Sequence, residues 1–374
     1  MPRPSKGARL YWREAKDRPG VWEIRDAGNV RISTGTDSRS EAESQLAEYI
    51  SRRHRPSGPA HPSEITCEWA LSIYAEEHAA HVTSPQRIGY AIAALEPFWG
   101  TLPVGAVKGE TCRRYAKSRV HAKTGEPVSA GTIRRELNTL QAAINHCHRE
   151  GYLLEAPRVA MPAKPPSKER WMTRQEAAWL LRGARALNRD GRHLQDFILH
   201  GLYTGSRKET ILSMHIDRQS PTGGYVDTVN GILYRRPRGK TETKKRQPTA
   251  RIPKRYLAHL RRQAAKGRIY VVERQVEREG KVCREMVAEV RKGWARAREL
   301  GQKMAWKRGI RINLSDVTPH TLKHTAITWA LQRGATFWDA AGYFGTSAQT
   351  IEKTYGHHSP MHQESAVAAM DKRA

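Results

Sequence analysis

AAGYFGTSAQTIEKTYGHHSP, residues 340–360, is the stretch from which the rest of the chain is best read. Ser347 is a good N-cap, and helical spacing from it carries the last turn to Tyr355, with Gly356 as the C-cap. Thr346 then stands at the helix N-terminus, where a hydroxyl and backbone donors face any bound anion. A tyrosine is more often a packing residue than a nucleophile, and this is one of 13. Tyr355 is singled out by the segments that precede it.

Working toward the N-terminus, the next such segment is Thr318-Pro319-His320-Thr321-Leu322-Lys323-His324. Thr318 suits an N-cap and Pro319 the first helical position, which puts His320 in the first turn with Lys323 on the same face. Both can grip one phosphate at that helix end. Before it comes Gly239-Lys240-Thr241-Glu242-Thr243-Lys244-Lys245-Arg246, a basic tip between strand-like runs. A lysine on such a tip can reach a DNA groove and protonate a leaving alkoxide. Earlier still, Leu202-Tyr203-Thr204-Gly205-Ser206-Arg207 reads as a helix ending at Gly205, with Arg207 opening the next apolar turn. An arginine held there can fork onto two phosphate oxygens. Cleaving a phosphodiester without a metal needs a nucleophile, cations around the non-bridging oxygens and an acid for the leaving oxygen. These four pieces supply all three, and the sequence shows no DxD or HExxH motif for a metal.

Taken together and in this order, the pieces resemble the tyrosine recombinase (phage integrase) family. TGSRKETILSM (204–214) resembles its first arginine box and places Arg207. TETKKRQPTARIP (241–253) resembles its hairpin-lysine segment and favours Lys244, with Lys240 and Lys245 as alternatives. TPHTLKHTAITWALQRG (318–334) resembles its His-x-x-Arg box and places His320 and Lys323, and residues 340–360 place Tyr355. Three positions depart from the family pattern. Lys323 replaces an arginine and loses the bidentate fork. Thr346 replaces a His or Trp and cannot act as an acid. Thr210 stands where an acidic residue is common, although Glu209 is adjacent.

The resemblance implies a mechanism. Tyr355 attacks the scissile phosphate, forms a 3′-phosphotyrosyl link and releases a 5′ hydroxyl. Arg207 and Lys323 stabilise the pentavalent charge, Lys244 protonates the leaving oxygen, and Thr346 contacts the phosphate. His320 assists proton transfer at the tyrosine and holds the phosphate. No cofactor or metal is implied. The implied partners are double-stranded DNA, a homotetramer on two DNA sites and DNA-bending helper proteins. The alternatives are a weakened or inactive recombinase that only binds DNA, a type IB topoisomerase and a metal-dependent nuclease.

The remaining residues fit a multidomain chain, mainly α with small β-sheets (α+β). Residues 1–55 read as three short strands, Leu10–Trp12, Val21–Arg25 and Val30–Ile32, with turns at Pro19-Gly20 and Gly28-Asn29. A helix starts at Ser40, and the unit is compatible with laying a sheet face in a DNA groove. Residues 54–62 are a Pro/Gly/Ser linker. Residues 63–155 look all-helical, and the clearest stripe is Ile133, Leu137, Leu140, Ile144 and Cys147 after the N-cap Ser129. A proline-rich, extended linker over 156–168 leads to residues 169–374. That last part opens with a Thr173–Glu176 capping box and contains a hairpin, Tyr225–Val229 and Ile232–Tyr234 around Asn230-Gly231, then a strand at Thr249–Ile252. Beyond Ile252 the patterns are mostly helical. The tail from Ala366 to Met370 is expected to pack on its own domain or on a neighbouring protomer.

Composition agrees with a polyanionic partner. The 374 residues hold 65 Lys plus Arg against 37 Asp plus Glu, a net charge of +28, spread along the whole length. Cys67, Cys112, Cys147 and Cys283 form no CxxC pair, which points to isolated reduced thiols. No run approaches the ~18 apolar residues of a membrane span, and the first residues lack the apolar core of a secretory signal. A soluble, cytoplasmic, nucleoid-associated protein is expected.

Overall fold

The structure, a computed structural model, describes residues 8–14, 19–26, 30–53, 58–165, 170–187, 191–240, 246–278, 281–358, 367, 370 and 371. The chain divides into two compact units, Met1–Pro166 and Ser167–Ala374. Among the described residues, no helix is long and apolar enough to cross a membrane.

The first unit begins with β1 (Arg9–Arg13), β2 (Val21–Asp26) and β3 (Val30–Ser33), paired antiparallel in sequence order. Helix α1 (Arg39–Arg53) packs against β1 and β2, and Ile24 and Ala42 are buried. Side chains alternate across a strand, so Arg9, Arg13, Arg25 and Arg31 share the sheet face opposite Ile24. Arg9, Arg25 and Arg31 stand in one cross-strand row. Glu23, on that same face and nearly buried, pairs with Arg13 and Arg25.

Four helices come next: α2 (Cys67–Glu77), α3 (Pro85–Trp99), α4 (Gly109–Ser118) and α5 (Ala130–Arg149). The stripe on α5 meets Leu71, Leu95, Trp99 and Tyr115 in one core, each large side chain contributing about 1.5–3 kcal/mol. Ser129 caps α5 by accepting from the Thr132 amide, as its position suggests. Within this core Glu136 is buried and neutralised: it accepts from the Tyr115 hydroxyl at 2.7 Å and from two nitrogens of Arg119. Cys67, Cys112 and Cys147 are buried free thiols, and burial pushes Cys67 and Cys147 up to about 12. The proline-rich stretch after α5 is docked onto that helix. Gln141 bonds both the Pro157 carbonyl and the Val159 amide, and Arg134 donates to the Pro162 carbonyl. Arg134, on the charged face of α5, therefore holds chain rather than standing free.

The second unit opens with α6 (Arg174–Ala186), whose Thr173–Glu176 capping box is present. Then come α7 (Arg192–Thr204), α8 (Lys208–Leu212) and a four-stranded sheet, β4 (His215–Ile216), β5 (Tyr225–Asp227), β6 (Ile232–Tyr234) and β7 (Ala250–Arg251). The sheet runs β4-β5-β6-β7, with β4 parallel to β5 and the other pairs antiparallel. Next are α9 (Lys254–Ala265), the hairpin β8 (Glu273–Arg278) and β9 (Lys281–Met286), and α10 (Arg291–Trp306). Helices α11 (Thr321–Leu331), α12 (Phe337–Phe344) and α13 (Ala348–Tyr355) complete the unit. One core joins α6, α7, the sheet, α9, α10 and residues Leu322 and Trp329 of α11, and a second, smaller one joins α11, α12 and α13.

Several local expectations are corrected. Strand β5 stops at Asp227 rather than Val229, because the Thr228 amide and hydroxyl both donate to Asp217 at 2.6 Å and leave the ladder. The β8–β9 hairpin lies where helical patterns were expected. Its Glu- and Arg-rich strands are joined by cross-strand pairs, Arg274–Glu285 at 3.1 Å and Arg284–Glu273 at 2.5 Å. Helix α11 starts at Thr321, not Pro319. The Thr321 hydroxyl accepts from the Thr318 amide and closes a separate turn, which leaves His320 at the N-cap position. Gly356 is the C-cap of α13 as expected; its φ of −52° is right-handed, and the chain passes on into a 3-10 turn.

Several expectations lie outside the described residues: the Gly28-Asn29 turn, part of each linker, Lys244 and Lys245, and most of the tail after Pro360. Val367 and Met370 are described, and both are exposed.

Candidate functional site

The junction carrying Arg207 is built by short polar side chains. Helix α7 ends at Gly205, whose φ of 60° suits glycine, and a Cβ there would lie 2.4 Å from the Phe344 ring. The Thr204 hydroxyl donates to the His200 carbonyl and accepts from the Ser206 amide, which ties the turn to the helix. Arg207 comes next, at the N-cap of α8, half-buried, with one guanidinium nitrogen 3.1 Å from the Arg246 carbonyl. Arg246 directly follows residues 241–245, so the base of the basic tip is held at Arg207. Lys240, on the other side of the tip, is exposed.

A second arginine, not singled out from sequence, locks this arrangement. Arg235 is buried and donates to the Ser206 hydroxyl at 3.1 Å, the Thr204 carbonyl at 2.8 Å and the Pro248 carbonyl at 2.8 Å. It thus ties the arginine turn to the strand returning from the tip. Gly345 completes the contact: its φ is 65°, and a Cβ would meet the Arg246 carbonyl oxygen and the Pro248 ring at 2.6 Å each.

Lys323 lies inside this cluster. Its side chain is buried, and Nζ donates to the Phe344 carbonyl at 2.8 Å. Burial first, then Arg207 and Arg235, push its pKa down to about 7. Burial also lowers Arg207, and it lowers Arg235 to about 10. Among the described residues no carboxylate pairs with any of the three, while Glu209 is paired with Lys208. Cations buried without counter-charge are costly, and an incoming phosphate oxygen relieves that cost.

The Lys323 shift has a measurable sign. Between pH ~7 and ~10.4 the unfolded chain holds a proton that the folded chain lacks. Stability linked to Lys323 is therefore fully present above ~10.4 and falls away as pH drops toward 7, by on the order of 4 kcal/mol in all. Urea unfolding of the full chain between pH 7 and 10 is expected to show wild type gaining stability relative to Lys323→Met as pH rises; parallel curves would contradict the assignment. Duplex affinity is expected to move the opposite way, since only the ammonium form grips phosphate.

His320 is exposed at the rim, with its pKa lowered by surrounding protein and by Lys323 and Arg207. Its ring meets that of His324 edge-on at 4.8 Å. Tyr355, at the end of α13 and 7% exposed, packs in the small core of Ala326, Phe344 and Ile351. Its hydroxyl lies 2.7 Å from Nδ1 of His324, so the ring in contact with the nucleophile candidate is His324, not His320. Burial pushes the phenol up to about 12. Ser347 caps α13 as expected. The Thr346 amide, expected to face phosphate, instead donates to the Ala341 carbonyl and closes α12, so only its hydroxyl is left for that purpose. Thr210, at the position where the family pattern favours an acid, is buried.

Arg207, His320, Lys323 and Tyr355 thus come together in one unit, joined by Arg235 and His324. His324 was visible in sequence as the residue four after His320, on the same helical face. Arg235 carried no sequence signal, because the burial of a strand-end arginine is decided by tertiary packing.

No family model matches the sequence, and comparison with curated proteins finds no match. Solved structures do match. The Tn1549 transposon integrase (residues 82–397, in complex with transposon right end DNA) superimposes with a TM-score of 0.59 at 14% identity, covering 82% of this chain and 99% of that one. A lambda integrase tetramer bound to a Holliday junction gives 0.54 at 14% identity, covering 93% and 97%. A lambda integrase dimer bound to a COC′ core site gives 0.55 at 16%, covering 91% and 96%. These superpositions show that this chain has the tyrosine recombinase/integrase fold.

Proposed function

We propose that this protein cuts and rejoins double-stranded DNA at specific sites through a 3′-phosphotyrosyl link to Tyr355. The observation that carries the reading is the cluster of half-buried Arg207 with buried Lys323 and Arg235, without a carboxylate partner among the described residues, in the same unit as a buried tyrosine. Such a cluster favours a phosphate anion and stabilises the extra negative charge of a pentavalent phosphorus. Arg207 and Lys323 act on the non-bridging oxygens, and Arg235 keeps the arginine turn and the tip strand in register. His320 holds the phosphate from the rim, and the Thr346 hydroxyl adds a contact. Lys244 protonates the leaving 5′ oxygen, with Lys240 and Lys245 as the other tip lysines able to do so. The covalent link stores the energy of the cleaved bond, so rejoining needs no further energy source.

The arginine row on the face of the β1–β3 sheet suits contact with DNA phosphates. We place the domain boundaries at 1–55, 63–155 and 169–374, and four protomers on two duplexes as the working assembly. One observation favours a second reading, DNA binding without cleavage: the Lys323 ammonium is already bonded to the Phe344 carbonyl.

The test is a pool of nicked duplexes with randomised sequence around the nick. Loss of the short strand past the nick prevents rejoining. An enzyme leaves denaturation-resistant protein–DNA adducts, from which the target sequence can be read. A protein that only shifts duplexes in native gels, with no adduct, fits the second reading.

A further inference from the structure

We infer that His324 receives the phenolic proton of Tyr355 through Nδ1 as the phenolic oxygen attacks phosphorus. The inference rests on the reading of Tyr355 as nucleophile and assigns its base. The Tyr355 hydroxyl is 2.7 Å from Nδ1, and among the described residues it has no other hydrogen-bond partner. A buried hydroxyl needs an acceptor for its proton, so the phenol donates and Nδ1 accepts. The imidazole proton is thereby assigned to Nε2.

The surroundings keep the ring in the state a base requires. Burial, then His320 and Lys323, push His324 down to about 4, so the free site holds neutral imidazole at neutral pH. Burial and the positive charge of protonated Lys323 make the imidazolium costly until phosphate arrives. An anion among Arg207, Lys323 and His320 offsets their field, and the dianionic transition state offsets it further. The base therefore gains strength when DNA is seated, which protects the empty site from forming a free phenolate.

The step balances. The Oη–P bond forms as the P–O5′ bond breaks, and the proton on Oη passes to Nδ1. The leaving O5′ takes its proton from the tip lysine. When the 5′ hydroxyl returns, the imidazolium restores the proton to Oη. His320 is left to hold phosphate from the rim, which fits its exposed ring.

The experiment measures the single-turnover rate of adduct formation on the nicked duplex recovered from the randomised pool, and on the same duplex with sulfur replacing the bridging 5′ oxygen. His324→Asn keeps an acceptor near the Nδ1 position but cannot take a proton. We expect it to bind the duplex with wild-type affinity and to form adduct about 10²–10⁴-fold more slowly. The defect should persist with the sulfur leaving group, because sulfur removes only the need for the leaving-group acid. Should His324→Asn fail to fold, His324→Gln gives the same reading. Adduct formation at the wild-type rate, or a defect that disappears with sulfur, would overturn the assignment. Tyr355→Phe runs alongside. Adduct from that variant would remove the nucleophile itself, whereas no adduct from it together with full-rate His324 variants would remove only the base.

Discussion

Tyr355→Phe is expected to form no covalent adduct with any nicked duplex that the wild-type protein captures, while its duplex affinity is unchanged. The substitution removes one oxygen, and that oxygen is the only atom of the side chain able to bond phosphorus. The ring stays, so its packing against Ala326, Phe344 and Ile351 is kept. The cost to folding is confined to the hydrogen bond to His324. Leaving Nδ1 without a partner costs about 1–3 kcal/mol, small enough for the variant to be purified and compared. Denaturing gels of reactions at saturating protein supply the measurement. An adduct from Tyr355→Phe would mean that another side chain attacks the phosphate, and the reading of the α11–α13 cluster would have to be abandoned.

Arg207→Ala is expected to slow adduct formation by about 10²–10³-fold, the loss typical of removing a preorganised donor from a developing oxyanion. The effect on folding should be small by comparison. The guanidinium pairs with no carboxylate among the described residues, and its one bond there goes to the Arg246 carbonyl. A hydrogen bond of that kind contributes about 0.5–1.5 kcal/mol net, and removing a partly buried unpaired cation offsets some of it. Activity and stability should therefore separate: a large drop in single-turnover rate beside a melting temperature that moves by only a few degrees. Arg207→Lys is expected to recover part of the rate, since charge returns without the two-pronged geometry. A variant as fast as wild type would move the phosphate away from Arg207.

The site is held together by polar contacts that fold-level reasoning alone does not supply. Arg235 reaches Thr204, Ser206 and Pro248, on two segments far apart in sequence. Removal of Arg235 is coupled to the position of Arg207, so the two are poor candidates for additive effects. The approach of Gly345 to the Arg246 carbonyl oxygen serves the same end, because a side chain at 345 would lift the base of the tip away from the cations.

The sequence by itself determined the local pieces. Cap residues and helical spacing located α5, α6, α7 and α13, β-prone runs bounded by turn residues located β1 to β3, and short motifs singled out Arg207, His320, Lys323 and Tyr355. These signals are local because a cap, a turn or a face repeat involves residues within a few positions of one another. The β8–β9 hairpin was missed because its strands are rich in Glu and Arg, and what holds them as strands is pairing across the turn rather than any preference of the residues. Tertiary structure alone decided which ring meets the Tyr355 hydroxyl, that Lys323 and Arg235 are buried without a carboxylate partner among the described residues, and that the Thr346 amide is spent closing a helix. Burial and charge compensation depend on segments brought in from far along the chain, and no spacing rule records them.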